Sequence, residues 1–352
     1  MDNSRRDFLK STARAAAVMT LPATASAMAH RPISVSPASI AARFQGLPGD
    51  LGWKILVTRP DRSTAFVAGQ DAGRRLFAAS AIKTFVLAEV LRQFDSPDIA
   101  QRLEQHELVL DSAIWSLGSP IFNPPNLTGI VSARTALEAM ITRSDNTATD
   151  MAFKLAGAAN VRRFIADAGL SETLVPDSTR AFTAYLWGAP DYTRIGWEEL
   201  LALIQRPMLH PFFNEVQTLA SSAEDMVSYY SRALQGDFFV HAQTLDEFRR
   251  ILSLCDYIRL VPLPEGVGTH AKSGNADTEG FHVRTIAGGL NVTGTWITFA
   301  FMLNWYNAQA SDADTVERLF GAINAALEDL VEDISAPRRR LPLPLIPGCR
   351  PV

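Results

Sequence analysis

The chain has 352 residues, a formal net charge of −4, 47% hydrophobic residues and 20% charged residues, which is typical of a folded protein with one large or two smaller domains. The slightly acidic balance argues against a broad nucleic-acid-binding surface, because phosphate backbones select Lys and Arg. The six histidines are scattered and no paired cysteine or histidine motif occurs, so we predict no metal site and no cofactor.

The N-terminal sequence has the layout of a bacterial twin-arginine export signal. Arg5 and Arg6 precede an apolar stretch rich in Ala and Thr, which ends in small residues suited to cleavage near Ala27. This stretch is too short and too polar for a stable membrane span. We therefore expect a signal over residues 1–27, export by the twin-arginine machinery, and a periplasmic or secreted mature protein. The alternative is a disordered basic tail.

Helical character dominates the middle of the main domain, which we expect over residues 50–334 after a linker at 28–49. Two short predicted strands, followed by a helix-like apolar run, open this domain. Residues 101–230 are mostly helical by pattern. A long irregular stretch at 171–192 interrupts them, and loops of that length are usually functional or disordered.

Strand character returns near the C-terminus and is followed by an amphipathic helix. These predicted strands and the helix are 268–274, 282–290, 295–306 and 312–334. The pattern predicts an α/β (α+β) sandwich, in which one antiparallel sheet built from both chain ends is flanked by helices and carries an inserted all-helical lobe. Residues 335–352 form a proline-rich tail. Whether Cys255 and Cys349 form a disulfide stays open.

Three short motifs occur in order along the chain. They are S-x-x-K at Ser80–Lys83, S-D-N at Ser144–Asn146 and K-S-G at Lys272–Gly274. Each is weak alone, since an S-x-x-K is common by chance and S-D-N is often only a helix cap. The spacing of three places Ser80 and Lys83 on one helical face. A buried amine with lowered proton affinity can deprotonate a serine hydroxyl, so the pair predicts nucleophilic catalysis.

The three motifs together resemble those of class A-like serine β-lactamases, within the β-lactamase and penicillin-binding protein superfamily, over roughly residues 50–334. The resemblance implies that Ser80 is the nucleophile and Lys83 its base. It also implies that the backbone N–H groups of Ser80 and Asn275 form an oxyanion hole. Ser144 would relay a proton to the leaving nitrogen.

The same resemblance implies a set of substrate-binding residues. Asn146 would hold Lys83 and the amide of the substrate side chain. Lys272 and Ser273, in the triplet that ends at Gly274, would bind the substrate carboxylate, and Arg284 on the next strand resembles an arginine that assists this binding. The partner is then a small amide, either a β-lactam or a compound like acyl-D-Ala-D-Ala.

One departure from class A enzymes concerns deacylation. Those enzymes carry a glutamate in an E-x-x-L-N segment after S-D-N, and residues 171–192 contain no such segment. Their acids are Glu172, Asp177 and Asp191, of which Asp177 is the best replacement for the glutamate. A missing base would make turnover of an acyl-enzyme slow.

Three functions follow from these motifs. The first is an exported β-lactamase that opens a β-lactam amide through a Ser80 acyl-enzyme. The second is a periplasmic D-Ala-D-Ala peptidase, or a related amidase or esterase, with slow β-lactam turnover. The third is a penicillin-binding sensor that becomes acylated and stays so.

Overall fold

A five-stranded antiparallel sheet forms the centre of the protein in a computed structural model, which describes residues 32–255, 267–278 and 280–336. The strands are β1 Asp50–Thr58, β2 Thr64–Gln70, β3 Leu76–Phe77, β4 Glu107–Leu110, β5 Gly129–Ser132, β6 Ala220–Ser221, β7 Gly268–Thr278, β8 Phe281–Val292 and β9 Thr295–Trp305. The large sheet has the order β2-β1-β9-β8-β7, so β7 is an edge strand. Two small two-stranded sheets pair β3 with β6 and β4 with β5.

Eleven α-helices are present in the described residues. They are α1 Pro37–Arg43, α2 Lys83–Gln93, α3 Ile99–Gln105, α4 Ala133–Thr142, α5 Asn146–Ala156, α6 Ala158–Asp167, α7 Thr179–Leu186, α8 Trp197–Leu203, α9 Ala223–Ala233, α10 Ala242–Leu252 and α11 Ala313–Ser335. Helices α2 to α10 lie in sequence between β2 and β7, and they contain the helical lobe. The predicted fold class, with one sheet built from both chain ends, is confirmed.

Two hydrophobic cores lie on opposite faces of the sheet. On one face, Ile40 of α1 and Leu327 of α11 pack with Trp53 and Phe301 from neighbouring strands. On the other face, helices α2, α4, α5 and α9 pack with residues such as Val283. Strands that are buried on both faces become continuous apolar runs, which is why β9 is apolar along most of its length.

The turn between β8 and β9 joins two long strands tightly. Thr293 and Gly294 have φ values of 49° and 89°, as a type I′ hairpin turn requires. The Gly294 N–H donates to the Asn291 side chain at 3.1 Å.

The prediction of an irregular stretch at 171–192 is wrong for the middle of that stretch, where α7 forms. Ser178 caps this helix by accepting from Ala181 N at 2.9 Å. The carboxylate of Asp150 accepts from the backbone N–H groups of Thr179 and Arg180 at 2.6 and 3.0 Å. Because Asp150 belongs to α5, half of this cap is a tertiary contact that local sequence does not reveal.

Several expectations concern residues beyond the described ranges. The export signal, Cys349 and the tail from residue 337 onward lie outside them. The segment expected as a linker contains α1, and Cys255 is a buried free thiol. Among the described helices, none is long and apolar enough to cross a bilayer.

Candidate active site

Ser80 lies between the short strand β3 and the helix α2. Strand β3 leads into a short 3₁₀ turn, Ala79–Ile82, which continues directly into α2. Asn304 of β9 fixes the start of this segment, because its side chain accepts from Phe77 N at 2.8 Å and donates to Phe77 O at 3.0 Å. The Lys83 N–H donates to the Ser80 carbonyl, which keeps these two residues one turn apart, as the spacing predicts.

Strand β7 lies directly against this turn, and a glycine makes the approach possible. A Cβ atom on Gly274 would lie 2.2 Å from Ala78 O and 3.0 Å from Ser80 N. Only a residue without a side chain fits against that backbone. Gly274, the last residue of the K-S-G motif, therefore allows this motif to pack beside the candidate nucleophile Ser80.

Gly274→Ala is expected to weaken both the fold and the reaction. The added methyl group must push β7 away from the 3₁₀ turn, which we expect to cost about 1–3 kcal/mol of unfolding free energy. Gly268→Ala on the same strand is the matched control, because nothing lies within 4 Å of its Cβ position. Urea unfolding of both variants checks this, and equal stability of the two would contradict the close packing described here.

Lys83 is fully buried and its amine contacts the S-D-N motif. Its Nζ lies 2.5 Å from Ser144 O, 3.1 Å from Ser144 Oγ and 2.7 Å from Asn146 Oδ1. Ser144 has a φ of 58°, in the left-handed region, and both its carbonyl and its hydroxyl oxygen reach the amine. The first and second motifs are thus joined through one nitrogen atom.

The environment of Lys83 favours a neutral amine. Burial is the main cause that holds its pKa well below the ordinary value, and the charge of Lys272 adds to it, while Asp145 and Asp150 oppose it. A neutral amine has two N–H donors and one lone pair. It can donate to the Ser144 carbonyl and to Asn146 Oδ1, and its lone pair can accept the Ser144 hydroxyl proton. Lys83 is therefore arranged as a base.

Asn146 is held from both ends of its amide. While Oδ1 accepts from Lys83, Nδ2 donates to Leu117 O at 2.7 Å, and the backbone N–H of Asn146 donates to Gly118 O at 3.2 Å. These contacts fix the orientation of the amide. The predicted contact of Asn146 with Lys83 is present.

Asp145 has a structural role that the sequence analysis did not assign. Its buried carboxylate caps α5 by accepting from Ala148 N at 2.8 Å, and it accepts from Ile121 N and Phe122 N at 2.9 Å each. It thereby joins the segment around Phe122 to the S-D-N turn. An Asp directly before a helix is a cap signal, so the sequence could have indicated half of this role.

Asp150 is a second buried carboxylate near Lys83. It accepts from the Thr179 hydroxyl at 2.7 Å as well as from the backbone at the start of α7. Burial raises the pKa of Asp150 to about 6, although the hydrogen bonds from Thr179 and Arg180 lower it in part. This carboxyl group ties α7 to the helix that carries Asn146.

Asp150→Asn is expected to change how stability depends on pH. Because burial raises its folded-state pKa to about 6, ionised Asp150 costs stability, and the cost grows between about pH 4 and 6. The unfolding free energy of the wild type should therefore fall relative to the variant by about 2–3 kcal/mol over this range. Urea unfolding at pH 4 and pH 7 measures it. If the difference in unfolding free energy between the wild type and the variant is the same at both pH values, the buried environment assigned to Asp150 is contradicted.

Lys272 and Ser273 are consecutive residues of the edge strand β7, so their side chains leave the strand on opposite faces, and a ligand meets both only along the free edge next to Gly274. Lys272 is fully buried, its Nζ donates to Ser273 O at 3.1 Å, and it forms no ion pair with any described residue. Ser273 Oγ is buried and has no hydrogen-bond partner within the described part of the chain. A buried cation and an unpaired hydroxyl on successive residues of this strand edge are suited to an anion.

The remaining predicted site residues lie outside the group of contacts around Lys83. Asn275 is exposed on β7, and its neighbour across the hairpin, Arg284, is bound by Asp277. The carboxylate of Asp177 pairs with Arg162 at 2.7 Å and accepts from Gln217 at 2.8 Å. Its hydrogen bonds therefore do not join it to the cluster of Lys83, Ser144 and Asn146.

Known proteins share this fold. A β-lactamase from Sphaerobacter thermophilus is 18% identical, with a TM-score of 0.62 over 83% of this chain and 96% of that one. A structure named PBP-A is 19% identical, with a TM-score of 0.60 over 85% and 98% of the two chains. A β-lactamase from Burkholderia vietnamiensis is 17% identical, with a TM-score of 0.60 over 88% and 100%.

These identities show a common fold only. No curated protein sequence matches the chain. A sequence model of the β-lactamase enzyme family, however, matches residues 39–324, which is most of the chain and includes all three motifs. This chain therefore belongs to the β-lactamase enzyme family of serine hydrolases.

Proposed function

We propose that this protein opens the amide bond of a β-lactam through an acyl-enzyme on Ser80. The observation that carries the proposal is the anion site beside the nucleophile. Lys272 is buried without a carboxylate partner among the described residues, Ser273 Oγ is unpaired, and Gly274 contacts the backbone of Ser80. A substrate carboxylate bound there would place a neighbouring amide against Ser80, and β-lactams of the penicillin type carry both groups.

Acylation can proceed with the residues that the fold brings together. As Ser80 Oγ attacks the carbonyl carbon, its proton passes through Ser144 to Lys83. The carbonyl oxygen becomes negative and accepts from the N–H groups of Ser80 and Asn275. When the C–N bond breaks, the proton returns from Lys83 through Ser144 to the leaving nitrogen. The result is an ester on Ser80 and a neutral Lys83.

Deacylation needs a base for the attacking water. Neutral Lys83 is available after acylation, and we propose that it accepts this proton and returns it to Ser80 Oγ as the ester bond breaks. The carboxylate of Asp177, the residue that the sequence offered for this role, accepts hydrogen bonds from Arg162 and Gln217 instead. A second base close to Lys83 is not provided by Asp145, whose oxygens are occupied by backbone N–H groups.

A D-Ala-D-Ala peptidase is the second candidate function. The observation that favours it is that Asp177 is already paired with Arg162 and Gln217. A site without a dedicated carboxylate base would release a β-lactam acyl group slowly. Penicillin-binding proteins tolerate slow release, and the structural neighbour PBP-A has a name of that kind. Both functions use the same Ser80 acyl-enzyme.

We also propose that the protein acts after export. The Arg5-Arg6 pair before an Ala-rich stretch supports this location. Replacing both arginines with lysine should leave the protein in the cytoplasm, and fractionation of cells that express the two forms would test the proposal.

A time course with a chromogenic cephalosporin separates the two candidate functions. Sustained colour release with little protein adduct supports a β-lactamase. A single burst with a persistent mass adduct supports a peptidase or another penicillin-binding protein. If several classes of β-lactam give neither colour release nor a protein adduct, both candidate functions are refuted.

A further inference from the structure

Arg284 of β8 has two polar residues of β7 as diagonal neighbours, one on either side of it. It pairs directly with Asn275 across the hairpin of β7 and β8, so Ser273 and Asp277 are its two diagonal neighbours on the same face. Diagonal neighbours in a sheet are about 7–8 Å apart, which is within reach of an arginine side chain. The guanidinium can therefore turn toward Ser273, at the anion site, or toward Asp277, away from it.

In the structure the guanidinium turns toward Asp277. Its two terminal nitrogens lie 3.0 and 2.8 Å from the two carboxylate oxygens, which is a bidentate ion pair. His282 contacts the same carboxylate at 2.9 Å, and the guanidinium lies over the Trp305 ring at 5.8 Å. The Arg284 side chain is only 15% exposed, so bulk water competes little for it.

The carboxylate of Asp277 is ionised at neutral pH. Partial burial alone would raise its pKa, but the hydrogen bonds from Arg284 and His282 outweigh burial and lower the pKa overall. The positive charge of Arg284 is thus neutralised within the protein. Lys272, on the opposite face of β7, is left as the cation of the anion site.

We propose that Asp277 is a positioning residue that competes with the substrate carboxylate for Arg284 and so sets how strongly this enzyme prefers carboxylated substrates. The inference rests on the proposed function, because it assumes that substrates acylate Ser80. A substrate carboxylate at Lys272 and Ser273 must draw Arg284 from Asp277 or bind without it. Either course reduces the advantage of a charged substrate over a neutral one.

Benzylpenicillin and its methyl ester form a matched pair for the test, since they differ only in this carboxylate. Asp277→Asn should raise kcat/KM, or the acylation rate constant if turnover is slow, by about 3- to 10-fold for the free acid, a range set by one charge-assisted hydrogen bond. The gain should come from KM, and the ester should change less than twofold. Asp277→Ser, which removes the charge with a different side chain, should give the same pattern.

Two further variants decide whether Asp277 acts through Arg284. In an Arg284→Ala background, Asp277→Asn should give no additional preference for the acid. Asp237→Asn breaks a different ion pair, with Arg62, and should leave both substrates unchanged. An equal change for acid and ester, or an undiminished gain without Arg284, would overturn the inference.

The outcome also separates this inference from the proposed function. If the wild type is acylated at Ser80 and neither Asp277 variant gains preference for the acid, only the role of Asp277 is refuted. If neither penicillin nor its ester acylates the wild type, the proposed function is refuted, and the role of Asp277 with it.

Discussion

Ser80→Ala is expected to abolish both β-lactam turnover and the covalent adduct. Ser80 lies one turn before Lys83, and its backbone nitrogen lies against Gly274, so the variant loses the hydroxyl that attacks the carbonyl in the proposed reaction. Loss of a catalytic nucleophile typically lowers kcat by about 10⁴-fold or more. Intact-mass spectrometry and a chromogenic assay together measure the loss.

The substitution is small, so the fold should survive it. Ser253→Ala, at an exposed serine after α10, is the matched control and should retain full activity. An adduct of undiminished yield in the Ser80 variant would mean that another residue is the nucleophile, and peptide mapping would identify it.

Lys83→Ala is expected to slow acylation of Ser80 by about 10²–10⁴-fold, the usual range for a lost general base. The reason is the contact of its amine with Ser144 Oγ at 3.1 Å, together with the burial that lowers its pKa. Stopped-flow measurement of the burst phase, followed by mass spectrometry, reports the acylation step separately from release.

Lys154→Ala is the matched control, because this lysine is exposed on α5 and makes no contact with the cluster around Ser144. Circular dichroism checks that the buried cavity left by Lys83→Ala does not unfold the protein. A folded variant with an unchanged burst rate would show that Lys83 has only a structural role.

The sequence predicted secondary structure best where the pattern of residues repeats with the period of a helix or a strand. Strand-forming composition predicted most of β8 and β9, and the amphipathic pattern of residues 312–334 predicted α11. Motif spacing predicted the contact of Ser80 with Lys83, because three residues are close to one helical turn. These features depend on neighbours along the chain.

Features that depend on distant residues were not predictable in the same way. Helix α7 begins at Thr179 because Asp150 of another helix binds its first N–H groups. The pairing of Arg284 with Asp277 depends on the register of β7 and β8, which the motifs do not specify. The absence of a class A glutamate segment was visible in the sequence, but the partners of Asp177 were not.

A rapid-quench time course on the wild type with benzylpenicillin tests the central claim most directly. Intact-mass spectrometry should detect a species heavier by one penicillin, peptide mapping should place it on Ser80, and its decay rate should equal the steady-state turnover rate. Turnover that proceeds without this species, or an adduct that maps to another residue, would contradict the Ser80 acyl-enzyme.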